Sequence, residues 1–61
     1  MIDIGIYKHY KGGYYTVLFM AIDTTDGKDV VVYTDEVNMY TRPASEWFDK
    51  IGDTYRFIKV K

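Results

Sequence analysis

The 61-residue chain has no cysteine, so disulfides and cysteine-ligated zinc sites are excluded. A single histidine, His9, cannot by itself build a metal centre, and a single proline, Pro43, leaves most of the chain free to form β-ladders. No apolar run reaches the length of a membrane helix, and no basic-then-apolar leader is seen, which points to the cytoplasm. Eight Lys and Arg residues are too few to mark a dedicated nucleic-acid binder by charge alone. Stability must therefore come from apolar packing in one domain spanning 1–61, near the lower size limit for a single core.

What is present is aromatic. Aromatics make up 18% of the chain and hydrophobic residues 48%, and four of the seven tyrosines fall between Tyr7 and Tyr15. Charge is segregated. The acidic side chains Asp23, Asp26, Asp29, Asp35 and Glu36 crowd the middle, while Lys8 and Lys11 near the start and Lys50, Arg56, Lys59 and Lys61 near the end make the termini basic. Such a division can steer an anionic ligand.

Turn chemistry divides the chain into short strands. Residues 4–11 read as the first strand, ended by Lys11-Gly12-Gly13. Residues 14–22 read as the longest. Period two places Tyr14, Leu18, Met20 and Ile22 on one of its faces and Tyr15, Val17, Phe19 and Ala21 on the other. A strand apolar on both faces is central in a sheet or lies at an interface, which predicts a homodimer. Asp26-Gly27 turns the chain into the β-branched run 29–34. Residues 39–42 form a short fourth strand, and residues 43–49, opened by Pro43, form one helical turn, read as 3₁₀, whose Trp47 and Phe48 cover an open end of the sheet. Residues 55–60 form the last strand. The pattern predicts an all-β fold, a small five-stranded SH3-like barrel with one short helical turn before the last strand.

The order Gly5, Tyr7, His9, Tyr10, Lys11, Gly12, Tyr15, Val17, Leu18, then Gly27, Val31, Val32, Tyr33, then Arg42, Pro43 and Phe48 resembles a small bacterial family known as domain of unknown function 1653. The resemblance implies an SH3-like barrel and carries no established activity. It places the chain in a bacterium or a phage. The segment between Tyr33 and Arg42 is shorter than that family's pattern, and Tyr40 stands where a tryptophan is usual.

The candidate ligand residues are Tyr7, His9, Lys11, Tyr40 and Arg42. Period two sets Tyr7, His9 and Lys11 on one strand face, and Tyr7 is read as exposed there. His9 titrates near neutrality. The alternative for His9 is a strand histidine bonded to a carboxylate or the backbone. Arg42 before proline aims a rigid fork suited to phosphate or carboxylate, and a salt bridge to Asp35, Glu46 or Asp49 is the alternative. Tyr10, Tyr15 and Tyr33 are read as core residues. The acidic run Asp23, Asp26, Asp29 lacks the spacing of a calcium loop and reads as a solvated turn.

Ser45 and His9 can be imagined as nucleophile and base, but no nucleophile elbow accompanies them, so neither an enzyme nor a cofactor is expected. Two functions follow from the composition. One is a non-catalytic binding module for an anionic, partly planar ligand, single-stranded nucleic acid or a nucleotide-like small molecule. The other is a protein-interaction or self-assembly domain.

Overall fold

Residues 2–61 are described by a computed structural model. The strands are β1 (Gly5–His9), β2 (Tyr14–Asp23), β3 (Lys28–Thr34) and β4 (Met39–Pro43), followed by a one-turn helix α1 (Ala44–Trp47). Three short strands complete the chain: β5 (Lys50–Ile51), β6 (Thr54–Tyr55) and β7 (Phe57–Lys59). β1 to β4 and β7 form one antiparallel sheet in the order β4-β3-β2-β1-β7, and β5 and β6 pair as a separate hairpin. The all-β expectation with five main strands and one helical turn holds at this level. β4 and β7 are the two edges of the sheet and do not pair with each other.

Local chemistry sets the boundaries. Gly12 and Gly13 adopt φ of 98° and 85°, conformations that only glycine takes freely. They end β1 at His9, with the Gly12 N–H donating to the His9 carbonyl at 2.8 Å. Lys11 therefore lies in the turn and not on the strand face shared by Tyr7 and His9. The β3–β4 turn is tied by Asp35, whose Oδ1 accepts from the Val37 and Asn38 N–H groups at 2.9 and 2.8 Å. Pro43 ends the edge strand β4, where a missing N–H does no harm, and opens α1.

The longest strand departs from simple alternation. Val17 pairs with Tyr33, but Phe19 pairs with Val32, so Leu18 is an extra residue in a β-bulge. The bulge exchanges the faces downstream. Met20 now lies opposite Val31, and Tyr15, Val17 and Met20 share the inner face. β2 thus has one core face, not two, and this corrects the alternation expected over 14–22.

Ile2, Tyr7, Val17, Val31, Tyr33, Trp47 and Phe57 form the core, with Tyr15, Met20 and Ala44 against it. Trp47 is 1% exposed and stacks on Phe57 with ring centroids 3.7 Å apart and planes 6° from parallel. It comes from α1, just after edge strand β4, whereas Phe57 opens edge strand β7. The stack therefore brings the two ends of a curled sheet together through side chains. Phe48 stays exposed, so Trp47 alone provides that cover.

The single last strand expected over 55–60 is split. Arg56 forms a bend between β6 and β7, with its N–H bonded to the Asp49 carbonyl and its carbonyl accepting from Tyr10 N–H, both at 2.9 Å. Beyond β7 the chain keeps pairing with β1, and the Ile6 N–H donates to the Lys61 carbonyl at 2.9 Å. At Gly5, with φ of 151°, a Cβ would run into that carbonyl, so close approach of the backbone requires glycine there.

Candidate functional site

On the inner face, at the end of the sheet carrying the β1–β2 turn, Phe57 is the centre of a cluster. His9 is its cross-strand neighbour, with ring centroids 4.9 Å apart. The Arg42 guanidinium lies 5.8 Å from the Phe57 ring centre, within cation–π range. Tyr15 and Tyr33 meet the same ring edge-on at 6.0 and 5.8 Å. Tyr40 joins the rim through Tyr33 at 5.5 Å and Tyr15 at 6.5 Å.

Electrostatics register the crowding of cations. Burial lowers the His9 pKa below its ordinary 6.5, and the charges of Arg42, Arg56 and Lys11 lower it further. His9 Nδ1 accepts the Lys11 backbone N–H at 3.2 Å, so the neutral ring carries its proton on Nε2. Three cations thus face one imidazole. Arg42 has an ion pair with Glu46 at 3.3 Å, one turn away across Pro43. The Nε atoms of Arg42 and Arg56 are buried without a hydrogen-bond partner among the described residues. An unpaired buried donor costs about 1–3 kcal/mol.

The five sequence candidates fall in four places. His9 and Arg42 come together at Phe57. Lys11 sits beside them on the turn, its charge felt by His9. Tyr40 stands at the rim with its hydroxyl donating to Asp35 Oδ2 at 2.9 Å, and that carboxylate is also held by two backbone N–H groups. Asp35 is accordingly more acidic than usual, chiefly through the Asn38 and Val37 N–H bonds and then through Tyr40.

Tyr7 does not belong to an exposed site. It is 7% exposed, packs edge-on against Trp47 at 5.4 Å and donates its hydroxyl to the Asp3 carbonyl. Its exposure was misassigned because period two shows that Tyr7 and His9 share a face but not which face is covered. Tyr10 errs in the other direction. Expected in the core, it is exposed on the turn. Tyr33 is buried as expected, and Tyr15 is half-buried.

Sequence reasoning missed Arg56 and Phe57. The continuous strand expected over 55–60 is interrupted by the bend at Arg56, which no periodic pattern marks. A weak signal existed in Gly52-Asp53, which is hairpin chemistry as well as a helix stop. Ser45 lines a cleft with Asp23, Asp26 and Asp29 at the β2–β3 end of the sheet, far along the strands from His9, so the imagined nucleophile–base pair is not assembled. Among the described residues no group of His, Asp and Glu side chains is arranged to hold a metal, and no helix is long and apolar enough to cross a membrane.

The single histidine makes a direct test of the site's charge. A depressed folded-state pKa means that the unfolded chain binds the proton more tightly. The stability contributed by neutral His9 is then complete above pH 6.5 and is lost as the pH falls through the lowered value. The His9 Hε1 resonance should titrate with a midpoint below 6.5, and a midpoint at or above 6.5 would show that the neighbouring cations are not felt.

Residues 5–59 match the model of the family described as protein of unknown function (DUF1653). No curated protein matches the chain. No solved structure matches it either.

Proposed function

The chain belongs to the DUF1653 family, and within that family we propose that it is a non-catalytic binding module for an anionic, partly planar ligand, of the nucleotide or single-stranded nucleic-acid class. The observation that carries the reading is the meeting of Arg42 and half-buried His9 at the Phe57 ring, with the charges of Arg56 and Lys11 also felt by His9. Guanidinium forks suit phosphate oxygens, and the bordering tyrosines offer π-faces to a base. Lys11 adds charge at the rim. The curled sheet, its edges joined by the Trp47–Phe57 stack, supports describing the domain as an open SH3-like barrel.

Thermal unfolding with a panel of mononucleotides and oligonucleotides tests the reading. A ligand at a hundred times its Kd should raise stability by about 2.7 kcal/mol. No change in Tm with any member of the panel at millimolar concentration would remove the proposal.

Self-association is a second reading, now on a different basis from an all-apolar β2. An apolar groove of about 290 Å³ is lined by Ile2, Ile4, Phe19 and Met20, with Ile4 68% and Phe19 52% exposed. A second copy covering these side chains would bury surface that 61 residues leave open. Sedimentation equilibrium is expected to show a homodimer at high micromolar concentration, and Phe19→Ser should shift it toward the monomer. A 7.2 kDa species throughout would exclude the dimer.

A further inference from the structure

We propose that the ligand is single-stranded nucleic acid, held on a track that leaves the Arg42–Phe57 corner, crosses His9 and Tyr10, and enters a cleft on the outer face of β1 and β7. The proposal rests on the binding-module reading and names its ligand.

The cleft holds about 250 Å³ and is lined by Lys8, Tyr10, Thr54, Ile58 and Val60 together with His9. Lys8 and Ile58 are cross-strand partners, and both lie on the face opposite Tyr7 and Lys59. None of the lining residues is acidic, and Asp53 beside Thr54 is the only carboxylate adjacent to any of them in sequence. The His9 ring connects the two regions, 4.9 Å from Phe57 and 4.7 Å from Tyr10. Cations accompany the exposed rings along this edge. The Lys11 ammonium is 5.7 Å from the Tyr10 ring centre, and that of Lys8 is 6.0 Å from the ring of Tyr14.

Alternating π-faces and cations are what a flexible strand of bases and phosphates requires, since every base can stack and every phosphate can meet a positive charge. A free mononucleotide has one of each and would fill only the arginine corner. The surrounding charge gives the track its direction. Asp35 occupies the rim at Tyr40, and Asp23, Asp26 and Asp29 lie at the far end of the sheet, so phosphate is repelled from the β3–β4 and β2–β3 turns. The route over the β1–β2 turn toward β7 is the basic one. A duplex would not follow it, because its bases are already stacked and unavailable to Tyr10 and Tyr14.

Binding of thymidine 5′-monophosphate and of oligothymidylates of two, four and eight nucleotides, measured at two salt concentrations, tests the track. Affinity should climb with length and level off near about four nucleotides, the small end of known site sizes on compact barrels. Its salt dependence should steepen in parallel. Tyr10→Ala and Lys8→Ala change exposed side chains. Each should weaken the tetranucleotide about fivefold to tenfold and leave the mononucleotide unchanged. Equal affinity at every length, or equal binding of duplex and single strand, would overturn the track while leaving the arginine corner in place. Absence of binding by every probe, the mononucleotide included, would overturn both.

Discussion

Trp47→Ala is expected to leave the chain without a cooperative thermal transition. The side chain is almost wholly enclosed and meets Phe57, Tyr33 and Tyr7 at ring separations of 3.7, 4.9 and 5.4 Å. Truncating a buried tryptophan typically costs about 3–5 kcal/mol. A domain of this size rarely has more than about 3–5 kcal/mol in total, and there is no disulfide to hold the remainder. The position magnifies the effect, because the Trp47–Phe57 stack stands in for the hydrogen bonds that β4 and β7 do not make. Circular dichroism melting distinguishes the outcomes. A variant that melted cooperatively within a few degrees of the parent would mean that the sheet's curl is held by something other than this stack.

Arg42→Ala and Arg56→Ala are each expected to weaken nucleotide binding about tenfold or more, and the double variant about a hundredfold or more. A hydrogen bond to a charged group contributes about 1.5–3 kcal/mol, and 1.4 kcal/mol is a factor of ten. Folding should survive the loss of Arg42, whose ion pair with Glu46 is partly exposed and contributes about 0.2–1 kcal/mol. Arg42→Lys separates charge from geometry. It keeps the cation but loses the planar fork, so most of the affinity should still be lost. Titration calorimetry on folded variants checks this, and full affinity in Arg42→Lys would reduce the arginine's role to attraction at a distance.

The parts of the fold that local chemistry governs were legible in the sequence. Gly12-Gly13, Asp26-Gly27 and Pro43 marked turns where turns occur, and the β-branched run over 29–34 forms β3 as expected. The bulge at Leu18 was not legible. Val17, Leu18 and Phe19 are all large and apolar, so nothing in the pattern marks which residue drops out of register. The bend at Arg56 was hidden for a similar reason, since a two-residue hairpin is too short to show a period.

For the candidate site, His9 and Arg42 were both legible as candidates, but their meeting was not. The ring that brings them together, Phe57, comes from a strand whose register no short-range signal fixes. Tyr7 illustrates the remaining gap. Its face was correct and its exposure was not, because exposure depends on Trp47 arriving from forty residues downstream.

Chemical-shift mapping of the labelled protein with thymidine 5′-monophosphate tests the central claim most directly. Saturable shifts are predicted at His9, Arg42, Arg56 and Phe57, with a rise in the His9 titration midpoint as a phosphate offsets the three neighbouring cations. The turn at Asp23–Asp29 and the groove at Ile4 and Phe19 should stay still. Shifts confined to those two regions, or a His9 midpoint unmoved at saturation, would contradict the account.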